Sequence, residues 1–249
     1  MKRIVIALVL VVLAGQARAG LVTYIGEDLQ PTANPTVRTN SDAAAASFMT
    51  AAATIGPVAT ITFESAPLGA FGSLAAAPGV TITGSDFSGS PQTIRNTTNF
   101  PSYPSVDGSN TTLGGSHFVE VQGGTLTFTF TQPTQFFGAY LTGVQTNFFP
   151  DSVVFSDGTI QLISLAGVGT SNNVGETAFI GFTDAGKFIT SIIIIAGSPT
   201  FGQDFIGVDD VSFQTAGPVP VPEPATIGMA GTAVIISLGA WYRKRRRTA

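Results

Sequence analysis

Apolar and polar residues alternate along most of the middle of the chain. In residues 125–131, Leu126, Phe128 and Phe130 alternate with four threonines. Because successive side chains of a strand point to opposite faces, this pattern predicts a β-strand with one buried face. Similar stretches predict further strands at 58–64, 80–83, 117–122, 135–142, 151–156, 159–165, 177–183, 187–195 and 205–214.

One predicted strand departs from this alternation. Residues 187–196 are rich in isoleucine, with four in a row at 192–195. A continuous apolar run predicts a strand that is buried on both faces, in the middle of a sheet. The dipeptide Asp157-Gly158 falls between two predicted strands and is typical of a tight hairpin. Many short strands with Gly, Asn and Ser loops predict a mainly β fold, an antiparallel β-sandwich over 58–214.

An alanine-rich stretch ahead of the strands has the period of a helix. Asn40 and Ser41 can cap a helix, alanine is the best helix former, and Phe48 lies on an otherwise alanine-lined face. The sequence therefore predicts one short N-terminal helix at 41–53. The rest of residues 20–57 is polar and contains prolines, which predicts an irregular lead-in to the β-sandwich.

The N-terminal end has the three parts of a secretory signal peptide. Lys2 and Arg3 precede the apolar run 4–14, and the segment 1–19 ends in Ala-Arg-Ala before Gly20. A small-x-small ending after a short apolar run is the pattern that signal peptidase cleaves. We therefore expect an exported protein.

The C-terminal end has a proline-rich linker at 215–224, 18 uncharged residues at 225–242 and a basic end at 243–249. A helix of 18 residues is roughly 27 Å long, close to the hydrocarbon thickness of a bilayer, so a transmembrane helix is predicted. By the positive-inside rule the basic end stays in the cytoplasm and the folded part lies outside it. The predicted membrane-stop residues are Arg243, Lys244, Arg245, Arg246 and Arg247.

The charge and the cysteine content exclude some partners and some kinds of chemistry. Residues 20–217 contain three basic and 14 acidic residues, a net charge of −11. Nucleic acid as a partner is therefore not expected, because it requires basic patches. The chain has no cysteine, which excludes disulfides and thiolate chemistry.

Residues 221–226 are Val-Pro-Glu-Pro-Ala-Thr, and together with the uncharged stretch and the arginine-rich end they closely resemble the PEP-CTERM sorting signal of Gram-negative bacteria. This resemblance implies that an exosortase in the inner membrane recognises and cleaves the signal, in addition to signal peptidase at the N-terminal end. It also implies a cell-surface or extracellular-matrix protein associated with exopolysaccharide. The implied recognition residues are Val221, Pro222, Glu223, Pro224 and Ala225.

The strand order and short motifs resemble exported jelly-roll modules, a group that includes carbohydrate-binding modules. The motifs are Thr-Phe-Glu-Ser at 62–65, Phe-Gly-Ala-Tyr at 137–140 and Gly-Val-Asp-Asp-Val-Ser-Phe at 207–213. The resemblance implies a structural Ca²⁺ held by Glu64, Asp209 and Asp210, and carboxylates are ligands that Ca²⁺ prefers. Strand alternation places the two aspartates on opposite faces, so which of them faces the metal stays open. The alternative is that these carboxylates are strand-edge groups in water.

A long polar loop is predicted at 88–116, a candidate binding element. Its aromatic residues Phe100 and Tyr103, with Tyr24 and Tyr140, could stack against sugars, although a core position is favoured for Tyr140. The only histidine is His117, and no nucleophile, metalloprotease or phosphate-binding motif is present. We therefore expect a non-enzymatic exported protein. The alternative is a Ca²⁺-supported carbohydrate-binding module, and a polysaccharide-active enzyme with a carboxylate pair is the least favoured.

Overall fold

Antiparallel strands make up most of the described part of the chain. The computed structural model describes residues 21–29, 38–96, 108–144, 152–162, 176–184, 188–199 and 204–215. The elements in chain order are β1 (Val22–Leu29), α1 (Thr39–Ile55), β2 (Val58–Ile61), β3 (Gly69–Ala70), β4 (Leu74–Ala77), β5 (Val80–Ser85), β6 (Thr93–Asn96), β7 (His117–Gln122), β8 (Gly124–Thr134), β9 (Phe136–Val144), β10 (Ser152–Phe155), β11 (Ile160–Leu162), β12 (Glu176–Thr183), β13 (Ile189–Ala196) and β14 (Phe205–Gln214).

The chain divides into two units, Met1–Thr215 and Ala216–Ala249, and every described residue belongs to the first. The predicted signal peptide, sorting segment, transmembrane helix and basic end all lie outside the described residues. Within the described ranges, no helix is long and apolar enough to cross a membrane.

The strands form two sheets in which every pairing is antiparallel. The large sheet has the order β1-β12-β9-β14-β7-β6-β3, with β2 also paired to β14, and the small sheet has the order β11-β10-β13-β8-β5-β4. The last strand, β14, pairs with β9 on one side, and on the other with β7 and then β2. The prediction of a mainly β fold with antiparallel sheets and one helix is confirmed, while the jelly-roll-like topology stays a prediction.

The inner faces of the two sheets share one hydrophobic core. Phe128 of the small sheet meets Phe137 of the large sheet edge to face, with ring centroids 5.2 Å apart. Phe155 and Phe182 make the same kind of contact at 5.2 Å. On β8 the predicted inward residues, among them Leu126 and Phe128, are fully buried, so the alternation read from the sequence is confirmed.

Helix α1 packs on the outer face of the large sheet, where its Phe48 ring fills a hole made by two glycines. Gly138 and Gly181 face each other across β9 and β12. A Cβ on Gly138 would lie 2.8 Å from the Phe48 ring, and one on Gly181 would lie 2.7 Å from it. Phe48 is fully buried there. The predicted helix is confirmed and is two residues longer at each end. The predicted capping role of Asn40 and Ser41 is wrong, because the helix begins before them and both lie in its first turn.

The predicted irregular lead-in is wrong in its described part. β1 pairs with β12 over eight residues and forms the edge of the large sheet. Its Asp28 accepts hydrogen bonds from the backbone N–H groups of Asn40 (3.0 Å) and Ser41 (2.8 Å) and thereby caps α1. β1 contains large apolar residues, but a glycine and two carboxylates follow Ile25 and interrupt the alternation, which is why it was not predicted as a strand.

The prediction for the isoleucine-rich strand is right about its position and wrong about its burial. β13 lies inside the small sheet, between β10 and β8. Ile192 and Ile194 are buried in the core, but Ile193 and Ile195 are only half-buried. The described residues leave the outer face of this sheet in contact with solvent.

The predicted long loop at 88–116 is interrupted by a strand. β6 occupies Thr93–Asn96 and pairs with β7. Strands β3, β4 and β6 were not predicted, because elements of two to four residues are too short to show a period.

Candidate functional site

Residues 108–117, here called the clasp loop, lie on the outer face of the large sheet beside α1. Ser109 donates its backbone N–H to the Thr142 hydroxyl at 2.7 Å, and that hydroxyl donates back to the Ser109 carbonyl at 2.9 Å. Gly108 has φ +94°, and a Cβ there would clash with the backbone nitrogen of Gly207 on β14. Glycine is therefore required where the loop backbone touches the strand backbone.

Asp209 of β14 is the centre of the contact between sheet and loop. It is fully buried. One carboxylate oxygen, Oδ2, accepts from the backbone N–H groups of Thr111 (2.7 Å) and Thr112 (3.2 Å) and from the Asn110 side-chain amide (3.1 Å). The Thr111 and Thr112 hydroxyls contact the same oxygen at 3.1 and 3.4 Å. A single side chain thus satisfies several donors of a turn that covers it.

The other oxygen of Asp209, Oδ1, is buried and has no hydrogen-bond partner among the described residues. Burial and, to a smaller extent, the neighbouring Asp210 carboxylate together raise the pKa of Asp209 from 3.8 to about 7. The N–H donors of Thr111 and Thr112 oppose this shift but are outweighed. At neutral pH the charged and protonated forms of Asp209 are therefore both populated.

A β-bulge brings the two neighbouring aspartates to the same loop. The pairing of β14 with β9 shifts register between Asp209 and Ser212, and Asp210 has φ +46°. Asp210 accepts from the Thr111 hydroxyl at 2.9 Å and from the Thr112 hydroxyl at 2.7 Å. The placement of the aspartates on opposite faces is therefore wrong, because strand alternation fails at a bulge.

Glu64 holds the second half of the clasp loop. Its Oε1 accepts from the backbone N–H groups of Ser116 (2.9 Å) and His117 (3.0 Å) and from the Asn110 amide (2.9 Å). Since the same amide nitrogen reaches Asp209, Asn110 links the two carboxylates. Glu64 follows Phe63, which has φ +59°. Both non-glycine residues with positive φ in the described chain, Phe63 and Asp210, thus lie at this site.

Arg38 connects the clasp loop to the start of α1. It donates to the Thr111 carbonyl at 3.0 Å, and its guanidinium lies 4.8 Å from the centre of the Tyr140 ring. The Tyr140 hydroxyl donates to Asp42 of α1 at 2.6 Å. Burial, more than the Asp42 hydrogen bond, raises the pKa of Tyr140. Arg38 and Tyr140 therefore connect α1 to the clasp loop, and these two segments cover the outer face of the large sheet.

The predicted calcium ligands meet on the clasp loop as hydrogen-bond acceptors. Most contacts of Glu64 and Asp209 are with N–H groups, which cannot coordinate a cation. Across the described ranges, no group of three or more His, Cys, Asp or Glu side chains is placed to hold a metal ion. In this structure these carboxylates are engaged mainly by N–H donors, and the calcium site stays a prediction.

The predicted sugar-stacking aromatics serve the packing of α1. Tyr24 lies edge to face with Phe48 at 5.8 Å, and Tyr140 lies edge to face with Phe179 at 5.2 Å. Phe100 and Tyr103 lie outside the described residues. His117 contributes its backbone N–H to Glu64, and its ring Nδ1 is buried with no partner in the described part.

Sequence reasoning missed several residues of this site, namely Arg38, Thr111, Thr112 and Thr142. Threonines are common in solvent-facing strands and loops, so their type and spacing carry no signal. Asn110 was noted only as part of a polar loop. The pairing of β2 with β14 brings Glu64 near the two aspartates.

No protein-family model matches the chain, and no curated protein matches it in sequence. Among solved structures, the chain is similar to the K1 cleaved adhesin domain of Lys-gingipain (Kgp) from Porphyromonas gingivalis W83. The two share 11% sequence identity, and the match covers 65% of this chain and 100% of that domain, with a TM-score of 0.39. A similarity this low identifies neither a fold family nor a function.

Proposed function

We propose that this chain is an exported, non-enzymatic protein of the cell surface or extracellular matrix, sorted through a C-terminal signal of the PEP-CTERM type. The observation that supports it most is the position of the boundary between the two units, after Thr215. Every described strand pairing is complete by Gln214. The proposed signal therefore follows the last described strand along the chain.

In this proposal each part of the C-terminal segment has its own task. Prolines lack a backbone N–H and favour extended chain, so the linker keeps the Pro-Glu-Pro segment accessible outside the membrane. The uncharged stretch 225–242 holds the chain in the bilayer, and the basic end fixes its orientation. An exosortase-type enzyme then recognises residues 221–225 and releases the body.

The test follows the full chain in a Gram-negative host that has an exosortase. Glu223→Ala should leave the protein in the membrane fraction at unprocessed size, while the parent chain is released in a shorter form. Pro218→Ala lies in the same linker outside the motif and serves as the matched control. Equal processing of Glu223→Ala and the parent would contradict the proposal.

A second candidate is a Ca²⁺-supported module that binds extracellular polysaccharide. The observation in its favour is the buried, unpartnered Oδ1 of Asp209 beside the Asp210 carboxylate. A ligand that binds only the folded state at 100 times its Kd stabilises it by about 2.7 kcal/mol. Thermal unfolding of the full chain in detergent micelles, in EDTA and then in millimolar Ca²⁺, tests this. An unchanged Tm would contradict a calcium site.

A further inference from the structure

Charged residues are distributed unequally between the two sheets. None of the strands of the small sheet, as described, contains a charged residue. The strands of the large sheet contain seven charged residues: Glu27, Asp28, Arg95, Glu120, Glu176, Asp209 and Asp210. The small sheet is thus a neutral surface on a body whose net charge is −11.

A row of directly opposed residues runs across five strands on the outer face of the small sheet. Ile160 pairs with Val154, Val154 with Ile193, Ile193 with Thr127, and Thr127 with Thr83. Opposed residues point to the same face, and the neighbours of these residues, such as Ile192 and Leu126, point into the core.

The aliphatic half of this row is accessible to solvent. Ile160 is 63% exposed, and Val154 and Ile193 are half-buried. All five residues of the row are β-branched, and such side chains lose little rotamer freedom when they become buried. A rigid apolar stripe on the surface of a soluble body is typical of an interaction site.

The charge pattern indicates which partner this face fits. A basic partner would be drawn to the carboxylates elsewhere on the body and would find none in these strands. Two copies of a strongly acidic body repel each other wherever their carboxylates come close together. Two sheets that pack face to face lie about 10 Å apart, and only the side chains on the two facing surfaces become buried. Contact through the small sheet therefore keeps the acidic side chains of the large-sheet strands out of the interface.

We propose that the outer face of the small sheet, here called the neutral face, is a self-association surface on which a second copy of this chain packs. In a two-fold symmetric pair, both copies use the same surface patch. A two-fold axis that lies in the interface and runs along the row therefore places the row of one copy against the row of the other. The neutral face lies on a different sheet from the residues that hold the clasp loop, and none of its residues belongs to the proposed sorting signal, so this inference does not depend on the proposed function.

The absence of cysteine from the chain allows a direct test. Single variants Thr83→Cys, Thr127→Cys and Ile160→Cys sample the row, and Ala53→Cys on the exposed side of α1 is the matched control. The full chain, in membranes or detergent micelles, is treated with a short thiol-to-thiol cross-linker. We expect a covalent dimer from at least one position of the row and at least about fivefold less from the control, since proximity governs the yield.

A charge placed on the neutral face should break the contact. Thr129 is exposed on this face, and Thr129→Glu combined with Thr127→Cys should lower the dimer yield by about tenfold, because apposed like charges oppose association. Ala53→Glu combined with Thr127→Cys adds the same charge elsewhere and should leave the yield unchanged. Thermal unfolding of both double variants checks that they are folded.

Three results would overturn the proposal. The first is no dimer from any of the three positions in the row. The second is an equal yield from the Ala53→Cys control. The third is that the cysteines of the row react only with other proteins, or are shielded by a neutral polysaccharide such as dextran, in which case the face binds a different partner.

Discussion

The outer face of the large sheet is covered by two structures that are held in opposite ways. Helix α1 is held by apolar packing, with the Phe48 ring in a hole between Gly138 and Gly181. The clasp loop is held by polar contacts, with Asp209 buried beneath several donors. The difference shows that one sheet face can be closed by burying apolar surface or by burying a carboxylate.

The two covers should fail in different ways. Removing the buried Phe48 ring leaves a cavity, and the resulting loss of stability depends on the packing contacts that are lost. Removing a buried acceptor leaves N–H groups without partners, and its cost is set by their desolvation. The apolar cover should therefore respond little to pH, whereas the polar cover contains a group that titrates near neutrality.

The largest expected effect is on the apolar cover. Phe48→Ala should lower the free energy of unfolding by about 3–5 kcal/mol, because a fully buried ring is removed. Met49 is the next residue and is 38% exposed, so Met49→Ala should cost less than about 1 kcal/mol. Urea unfolding of the full chain in detergent micelles measures both, and equal costs would show that the Phe48 plug does not hold the helix.

Disrupting the polar contacts of the clasp loop should lower the free energy of unfolding by a somewhat smaller amount. Asp209→Ala removes the acceptor for the Thr111 and Thr112 N–H groups and should cost about 3 kcal/mol. Asp86→Asn, in an exposed turn away from both covers, is the control and should cost under about 1 kcal/mol. Hydrogen exchange should become faster at Thr111 and Thr112 in the Asp209 variant alone. Unchanged exchange there would show that Asp209 does not hold the loop.

The pH dependence should distinguish the two covers. The folded-state pKa of Asp209 is raised from 3.8 to about 7. The folded state then binds the proton more tightly, so this group stabilises fully below about pH 4, and the stabilisation is lost as the pH rises through 7. Asp209→Asn should therefore flatten the fall in Tm between pH 4 and 8, whereas Phe48→Ala should keep the slope of the parent chain. Parallel curves for the parent and Asp209→Asn would contradict the buried carboxylate.

The smallest effect should come from the connection between the covers. Arg38→Gln removes the hydrogen bond to the Thr111 carbonyl and the contact with the Tyr140 ring, at a cost of about 1 kcal/mol. Hydrogen exchange should rise modestly both in the clasp loop and in the first turn of α1. Thr50→Ala, on the exposed side of α1, is the control. A change confined to one cover would show that the two are not coupled through Arg38.

The apolar part of this fold could be predicted from the sequence, and the polar part only in fragments. The alternation at 125–131 and the alanine-rich helix around Phe48 were correctly predicted, because burial imposes a period on the sequence. The hole for Phe48 was not, since Gly138 and Gly181 meet only after β9 and β12 pair. Asp209 was predicted as a site residue, but the face of the sheet to which its side chain points was not predicted. That prediction depends on strand alternation, and the bulge after Asp209 breaks the alternation.

We infer that the carboxylates of Asp209 and Glu64 hold the clasp loop by hydrogen bonds from its backbone. Hydrogen exchange at the amides of Thr111, Thr112, Ser116 and His117 checks this claim, measured in the full chain with excess EDTA and then with millimolar Ca²⁺. We predict that these amides are protected in EDTA and that Ca²⁺ leaves their exchange rates unchanged. Rapid exchange in EDTA with protection only in Ca²⁺ would contradict the claim and would mean that a metal ion orders the loop.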